Sequence, residues 1–292
     1  MLTEEEYKKE WLEGKHDTDY NNCRFCDDKL KYCRDWMLMH IPFANPENPA
    51  TATDFICKQK LKMITDKEYC ALCSDWADKI KVNTLLDNLG MSEIKIPNYY
   101  AQYGKFGNAC FDLLPDEKLI IKCNHASGWN VFLDKTKPFE PKHIVNKINE
   151  WLSLNYSYVT GYEAQYENIT PGVIIEPILI DKPTDYGFWC FNGEIKGISL
   201  TKKFGKNLEE YIAFVNEDGS QCSWRIGLKP EQDKLNKKQL EMVQAMIPYV
   251  KTLAKPFDFV RVDMYYVKGK VYFGETTFTP CSGRVEYVET ES

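Results

Sequence analysis

The sequence predicts an α+β fold in which a mostly helical N-terminal region precedes a mainly antiparallel sheet. Helical patterns recur over residues 27–40, 51–64 and 67–89, so residues 1–95 are expected to be mostly helical. From Lys118 onward, short apolar runs typical of strands take their place. Three glycine turns flanked by aromatic or β-branched residues then predict hairpins, which join antiparallel strands.

The composition indicates a globular protein and excludes some classes of partner. The chain has 292 residues, 43% of them hydrophobic and 14% aromatic, enough to bury the core of one or two domains. A net charge of -6 provides no basic surface for a phosphate backbone, so we do not expect nucleic-acid binding. No apolar run approaches the ~18 residues of a membrane span, and the first residues are acidic. We therefore expect no membrane span and a cytoplasmic location.

The N-terminal region contains the cysteines that could bind a metal. Thr3 and Glu6 form a capping box that predicts a first helix. Two Cys-x-x-Cys pairs have the spacing with which two thiolates reach one zinc ion, Cys23 with Cys26 and Cys70 with Cys73. The second pair falls inside a predicted helix, where two buried thiols explain it more simply. An odd count of eleven cysteines without a signal peptide favours reduced thiols, with a structural zinc as the alternative.

The first part of the sheet is predicted from three apolar runs, Leu119–Ile121, Asn130–Leu133 and Val173–Ile180. A helix from Pro141 to Leu154 separates the second run from the third. Its proline suits a first helical turn, and four apolar side chains recur at helical spacing, Ile144, Ile148, Trp151 and Leu152.

The later part of the sheet is predicted from the turns Asn192-Gly193, Asp218-Gly219 and Lys268-Gly269. Between the last two turns, an apolar stripe predicts a helix that packs on the core, made by Leu240, Val243, Ile247, Val250 and Leu253. Pro248 falls inside this helix and predicts a kink.

The final hairpin contains the strongest chemical signal. With a side-chain period of two, Arg261 and Asp263 share one face of the first arm, and Glu275 and Thr277 share one face of the returning arm. Carboxylate oxygens suit Mg²⁺, which keeps few protein ligands, and a guanidinium beside them suits a phosphate. A surface cluster of ion pairs is the alternative interpretation.

A loop of small residues follows the strand that ends at Lys122. Backbone N–H groups at Ser127 and Gly128 could approach phosphate oxygens closely, with Lys122 placing a cation at the loop's entrance. His125 in the same loop could donate to a phosphate or a substrate. When the loop is taken alone, a simple hairpin turn explains it better, and its weight as a phosphate loop comes from the neighbouring signals.

An apolar strand ending in one charged residue is the third signal. Glu176 follows Val173, Ile174 and Ile175, so the segment could offer backbone groups to a base while Glu176 accepts from an exocyclic amine. A single charge closing a strand is otherwise unremarkable.

In combination these features resemble the ATP-grasp superfamily, and more narrowly its TupA-like branch, named for teichuronopeptide biosynthesis. The resemblance spans about residues 114–283 and depends on Leu114-Pro115 to Lys122-Cys123-Asn124-His125, Asp185-Tyr186 to Phe191-Asn192-Gly193, and Phe259-Val260-Arg261-Val262-Asp263 to Phe273-Gly274-Glu275. It implies an ATP-grasp fold that holds the nucleotide between two mainly antiparallel sheet subdomains. These would be residues 96–180, with the phosphate loop, and 181–292, with the magnesium site, after the helical region 1–95.

The resemblance also implies residue roles. Lys122 would contact the ATP phosphates, which Ser127-Gly128 would cover, and Asp185 would lie near the ribose. Arg261 would steady the transferred phosphoryl group. Adenine would be held by Glu176, Pro177, Ile178 and Leu179. Two magnesium ions would be bound by Asp263, Glu275 and the residue at position 277.

Three positions depart from the family pattern. Thr277 stands where the superfamily usually has asparagine, Gly187 replaces an expected lysine, and Asn83 replaces an expected arginine. Cations that could compensate are Lys79, Lys81, Lys202 and Lys203, and we include Lys79 among the predicted nucleotide-binding residues.

The resemblance implies an ATP-dependent ligase that joins a carboxylate to an amine through an acyl phosphate. Its TupA-like branch suggests a substrate from bacterial surface polysaccharide, such as a uronic acid, or an amino acid. Two alternatives stay open: a kinase of the same fold that phosphorylates a sugar or polysaccharide hydroxyl, and a nucleotide-binding protein without turnover. The sequence leaves the oligomeric state open.

Overall fold

The structure, a computed structural model, describes residues 18–179, 183–204, 208–227 and 229–290. The predicted capping box at Thr3 lies outside these residues. Seven α-helices are described: α1 (Thr18–Arg24), α2 (Lys29–His40), α3 (Ala52–Thr65), α4 (Lys67–Ala77), α5 (Lys81–Asn88), α6 (Pro141–Leu152) and α7 (Lys237–Ala254).

The described strands form three sheets, all with antiparallel pairing. They are β1 (Tyr100–Tyr103), β2 (Lys118–Cys123), β3 (Asn130–Asp134), β4 (Gly172–Pro177), β5 (Thr184–Phe191), β6 (Glu194–Phe204), β7 (Leu208–Val215), β8 (Trp224–Ile226), β9 (Phe259–Val267), β10 (Lys270–Thr277) and β11 (Tyr287–Glu289). The small sheet has the order β1-β4-β2-β3, the large sheet has the order β10-β9-β5-β6-β7, and β8 pairs with β11.

Polar caps fix the boundaries of the N-terminal helices. Thr51 and Asp54 form a reciprocal capping box at the start of α3, and Asp66 accepts from the N–H of Tyr69 at the start of α4. The prediction of a single helix over residues 67–89 is wrong, because α4 ends at Ala77 and α5 begins at Lys81. The Asp78 carboxylate accepts from the N–H groups of Ile80 and Lys81, which starts α5 in a new direction.

The small sheet is apolar on one face and carries both polar and apolar side chains on the other. Leu119, Ile121 and Leu133 are buried on one face, where α6 covers them with Ile148. The opposite face carries Lys122 and Glu176, and both of these side chains line a cleft. Strand β4 ends at Pro177, earlier than the predicted Ile180, which lies outside the described residues.

The large sheet packs against α7, which buries the predicted apolar stripe against its strands. Val243, Ile247 and Val250 belong to one core cluster with Phe188 and Val262. The β5–β6 turn at Asn192-Gly193 and the β9–β10 turn at Lys268-Gly269 both have two residues of positive φ, as tight hairpins require. The Asp218-Gly219 turn closes only a single bridge, between Val215 and Gln221. It does not join two paired strands, because β8 pairs with β11.

The four cysteines considered as alternative zinc ligands do not form a recognisable metal site in the described residues. Cys23, Cys26, Cys70 and Cys73 are free thiols, and no group of three or more His, Cys, Asp or Glu side chains that could hold a metal ion occurs in the described part of the chain. Burial raises the pKa of Cys23 to about 12. None of the described helices is long and apolar enough to cross a membrane.

Candidate active site

The β9–β10 hairpin brings its four polar residues to one face. Asp263 pairs directly with Glu275, and Arg261 pairs with Thr277. A register shift between Phe273 and Glu275 produces a bulge at Gly274, where a Cβ atom would lie 2.8 Å from the Asp263 carbonyl oxygen. Only glycine fits this close approach, which sets the position of Glu275 opposite Asp263.

Arg261 binds Asp263 in a bidentate fork. Its Nε donates to Oδ1 at 2.7 Å and its Nη2 donates to Oδ2 at 2.6 Å. Nη2 also donates to the Thr277 hydroxyl at 3.3 Å. The fork holds both side chains together on one face of the hairpin, beside Glu275, which lines the cleft, and it leaves the carboxylate with further lone pairs.

The electrostatics of this pair are dominated by burial. Burial raises the pKa of Asp263 to about 6, although Arg261 opposes the shift, while Glu275 and Asp185 add to it. Burial lowers the pKa of Arg261, but the charge of Asp263 more than compensates and holds it above its usual range. Three carboxylates close together therefore favour a cation in addition to Arg261.

The oxygen ligands of the hairpin suit Mg²⁺. Two carboxylates and the Thr277 hydroxyl are hard oxygen ligands, and Mg²⁺ is usually held by one or two carboxylates plus water and substrate phosphates. Asp263 and Glu275 provide such a partial set. Glu275 is the more accessible, with 40% of its side chain exposed against 11% for Asp263.

The cleft wall formed by the small sheet contains a second ion pair. Lys122 Nζ lies 2.5 Å from Glu176 Oε2, and both side chains are largely buried. Just past the end of β4, the N–H of Ile178 donates to the carbonyl oxygen of Lys118 at 3.1 Å. A base bound at the segment 176–179 would therefore have to use other groups of the segment, such as the Ile178 carbonyl oxygen.

The loop between β2 and β3 is exposed at Ser127 and Gly128, and its Ala126 carbonyl oxygen accepts from Lys79, which lines the cleft. Gly128 has a φ of +76°, and a Cβ atom there would meet nothing within 4 Å, so the residue needs glycine for its backbone conformation. The Ser127 hydroxyl interacts with that of Tyr156, whose ring packs edge-to-face on Trp129. The base of the loop is therefore braced while its tip stays open.

Lys79 reaches the same site from the helical region. It lies in the break between α4 and α5, and its Nζ donates to the Ala126 carbonyl oxygen at 2.7 Å and lies 3.6 Å from Glu275 Oε2. The break is fixed by Asp78, whose carboxylate accepts from the Asn124 amide at 2.8 Å. Lys79 therefore connects the β2–β3 loop to the β9–β10 hairpin.

These walls line a narrow cleft that opens to solvent. Charged side chains from all three parts of the protein line it, Lys79, Lys95, Lys122, Glu176 and Glu275. An apolar side completes it, made mainly by α4, α5 and the chain that follows, with Trp76, Val82, Leu86, Ile96 and Phe273. An apolar pocket with a few converging polar groups is the usual form of a small-molecule site.

Residues 57–292 match the family described as TupA-like ATP-grasp. The chain belongs to the TupA-like ATP-grasp family. No curated protein matches it.

Solved structures that resemble the chain are ATP-grasp ligases. The D-alanine–D-alanine ligase of Bacillus anthracis complexed with ATP is 16% identical over 70% of this chain and 55% of that one, with a TM-score of 0.41. The L-amino acid ligase of Bacillus licheniformis is 11% identical over 90% of this chain and 57% of that one, with a TM-score of 0.46. The ATP-grasp ligase PsnB, solved with a precursor variant, Mg and ADP, is 9% identical over 70% and 51%, with a TM-score of 0.39. The chain therefore spans just over half the length of these structures.

The structure explains why the ATP-grasp lysine expected at position 187 is missing. A Cβ atom at Gly187 would lie 2.6 Å from Ser199 Oγ and 3.2 Å from Asp263 Oδ1. The position faces Asp263 on the β9–β10 hairpin, but Ser199 fills the space that a side chain needs. Asp185 precedes it by two residues on β5, shares this face, and interacts with the Tyr265 hydroxyl.

Of the four lysines considered as compensating cations, Lys79 lines the cleft, together with Asn83. Lys81 instead forms a surface ion pair with Asp75 at 2.5 Å. Lys202 pairs with Thr184 at the start of β5. The Lys203 side chain lies outside the described part of the chain.

His125 does not face the cleft, which corrects its suggested role in phosphate binding. It is 1% exposed, its Nε2 lies 3.3 Å from the Leu154 carbonyl oxygen, and its ring contacts Trp129. Burial lowers its pKa. The side chain belongs to the packing beneath the loop.

Sequence reasoning missed Asp78 and Asn124 as supports of the site. Asn124 is fully buried, donates to Asp78 and to the Thr170 carbonyl oxygen, and accepts from the N–H of Gly172. The one local signal was Asp78 itself, because aspartate is a preferred N-cap and marks the break within residues 67–89. Nothing local indicates that it binds a loop 46 residues away.

Proposed function

We propose that the protein is an ATP-dependent carboxylate–amine ligase that acts through an acyl phosphate, with ATP and two magnesium ions as cofactors. One observation carries the proposal: Lys79, Lys122 and Glu275, from three separate parts of the chain, line one cleft, and Glu275 is paired with Asp263. Phosphoryl transfer needs mainly positioning and charge neutralisation, which such a site supplies.

The apolar side of the cleft would hold the adenine, with Glu176 accepting from its exocyclic amine. Lys122 and Lys79 would neutralise the phosphates, and the loop at Ser127-Gly128 would cover them. Asp263 and Glu275, with the Thr277 hydroxyl, would hold magnesium, which supplies charge neutralisation of the phosphates when bound.

In the reaction we propose, a substrate carboxylate oxygen attacks the γ-phosphorus of ATP and ADP leaves. An amine then attacks the carbonyl carbon of the acyl phosphate, inorganic phosphate leaves, and the amine proton passes to solvent. Arg261, held in place by Asp263, would offer its guanidinium to the transferred phosphoryl group as charge develops there.

For the carboxylate we propose a uronic acid of bacterial surface polysaccharide or an amino acid, joined to an amino acid or small amine. Membership of the TupA-like family supports the first class. An amino acid fits the same chemistry, because it offers both a carboxylate that can be phosphorylated and an amine that can attack. We place the activity in the cytoplasm, where ATP is available.

Product analysis tests the proposal. The purified protein is incubated with ATP, magnesium, candidate uronic or amino acids and amines, and products are separated by mass spectrometry. ADP, phosphate and an amide in equal amounts support the ligase. ADP with a phosphate ester would instead identify a kinase, and no nucleotide turnover with any acceptor would favour a non-catalytic nucleotide-binding protein. The departures at Thr277 and Gly187 are the observations that keep this last possibility in the test.

A further inference from the structure

Lys95 lines the cleft together with Lys79 and Lys122. It follows a short 3₁₀-helix, Ser92–Ile94, which packs against β10. Its side chain is 27% exposed, so a ligand that enters the cleft can reach it. The proposed reaction assigns the other two lysines to the phosphates and leaves Lys95 without a role.

Asp87 holds the Lys95 ammonium in place. Nζ donates to Oδ1 of Asp87 at 2.6 Å and to Oδ2 at 2.8 Å, and the Ser92 hydroxyl donates to the same Oδ1 at 2.5 Å. An ammonium group has three N–H donors, so at least one of them remains for a ligand. The ion pair therefore fixes a donor at the cleft without using it up.

The position of Asp87 places this donor far from the proposed phosphate end of the cleft. Lys79 lies just before α5 and contacts both the β2–β3 loop and Glu275, whereas Asp87 lies in the last turn of α5. The helix has 8 residues and is therefore about 12 Å long. Lys79 and Lys95 thus mark the two ends of this wall.

The surroundings of Lys95 are apolar. Leu86 and Ile96, the chain neighbours of Asp87 and Lys95, are buried and line the same cleft. A phosphate placed here would lose hydration against aliphatic side chains, which is costly. A heteroaromatic ring fits better, because its faces are apolar and its edge carries nitrogen atoms that accept hydrogen bonds.

From this placement we infer that Lys95 is a further nucleotide-binding residue, whose ammonium donates to a ring nitrogen of adenine. Asp87 is its positioning residue, since it fixes the direction of the remaining N–H. The inference rests on the proposed function, because it names a contact to the same nucleotide.

Isothermal calorimetry on the full chain tests this with adenosine, MgATP and magnesium tripolyphosphate as ligands. Lys95→Met keeps the apolar stem and removes the ammonium. Adenosine and MgATP should both bind about tenfold more weakly, because each loses the same hydrogen bond from a charged donor, and tripolyphosphate should bind as it does to the parent protein. Lys95→Gln keeps a shorter, uncharged donor, should weaken the first two ligands by a smaller factor, and serves if the methionine variant does not fold.

The matched control is Lys31→Met, which also removes a lysine from an exposed ion pair with an aspartate, Asp35 on α2. It should bind all three ligands like the parent protein. Parental adenosine affinity in both Lys95 variants would overturn the inference and leave the proposed function intact. If MgATP and tripolyphosphate alone were weakened, Lys95 would instead contact the phosphates. Failure of the parent protein to bind MgATP would overturn the proposed function as well.

Discussion

Asp263 is the residue whose chemistry the fold changes most. Its carboxyl group titrates near 3.8 in an unfolded chain, and burial raises its pKa to about 6 in the folded protein. The folded state therefore binds this proton more tightly than the unfolded state. The group's contribution to the free energy of unfolding is fully present below about pH 4 and is lost as the pH rises through 6. Its ionised form, which the proposed magnesium site needs, is thus obtained at a cost in stability.

The first prediction concerns the pH dependence of turnover. Because Asp263 must be ionised to hold magnesium, kcat/KM should fall as the pH decreases through about 6, and more magnesium should shift this limb to lower pH. Asp263→Asn should lower turnover by about a hundredfold or more, and its remaining kcat/KM should no longer fall as the pH decreases through about 6. Initial rates between about pH 5 and pH 8 measure both effects. Parental turnover in Asp263→Asn would exclude Asp263 from the site.

The second prediction concerns Gly187, where the family pattern leads one to expect a lysine. Gly187→Ala should lower the free energy of unfolding by about 1–3 kcal/mol, because its Cβ atom would overlap Ser199 Oγ. Gly107→Ala is the control, since a Cβ atom there meets nothing within 4 Å. Urea unfolding compares the two variants. Equal stability of both would show that Ser199 moves aside and that position 187 can accept a side chain.

At the scale of elements, the pairing of β2 with β4 makes Lys122 serve two purposes. It is the expected phosphate cation, and it also neutralises Glu176, whose side chain is only 10% exposed. Lys122→Ala should therefore lose ATP binding and also destabilise the empty protein by about 3 kcal/mol, because it leaves a buried charge unpaired. Adding Glu176→Gln should restore most of the stability but none of the ATP binding.

Thermal unfolding with and without MgATP separates the two effects of Lys122. If the double variant regains MgATP stabilisation, Lys122 is a structural partner of Glu176 and not a nucleotide ligand. If Lys122→Ala is as stable as the parent protein, Glu176 has found another partner in the cleft.

Elements with a clear period were predictable from the sequence, and connections between elements were not. The period of two places Arg261 with Asp263 on one arm and Glu275 with Thr277 on the other, but the register of the tight turn alone would put Glu275 opposite Val262. The bulge at Gly274, which the sequence did not predict, shifts Glu275 to the position opposite Asp263. The break at Asp78 was missed because apolar periodicity continues on both sides of it. The local sequence pattern could not show that the N–H of Ile178 already donates to the carbonyl oxygen of Lys118.

At the scale of the whole molecule, Asp78 joins the helical region to the small sheet. Its carboxylate accepts from the Asn124 amide and from the Tyr103 hydroxyl at 3.0 Å. Asp78→Ala should lower the free energy of unfolding by about 2–4 kcal/mol, since it leaves buried donors without a partner. It should also weaken MgATP binding, because Lys79 loses its support.

The control for this prediction is Asp75→Ala, which removes an exposed ion pair with Lys81 and should cost no more than about 1 kcal/mol. Guanidinium unfolding measures both variants. Equal losses would mean that Asp78 contributes no more than a surface charge and that the helical region is held by its apolar contacts.

Long-range contacts of this kind are the part of the molecule that sequence reasoning could not reach. Asp78 and Asn124 are 46 residues apart, and Glu163 accepts from the Thr279 hydroxyl 116 residues away. Resemblance to the ATP-grasp superfamily supplied the fold, because its motifs keep their order along the chain. It did not supply the cross-links that hold the helical region against the two sheets.

The cations in and beside the cleft are already paired before any ligand arrives. Lys122 pairs with Glu176, Lys79 with Glu275, Lys95 with Asp87, and Arg261 with Asp263. Such a cleft projects little net field into solvent, so it cannot attract ATP from a distance as a strongly basic cleft would. The rate of ATP association should therefore depend only weakly on ionic strength, and recognition of the phosphates should begin after the nucleotide has entered the cleft.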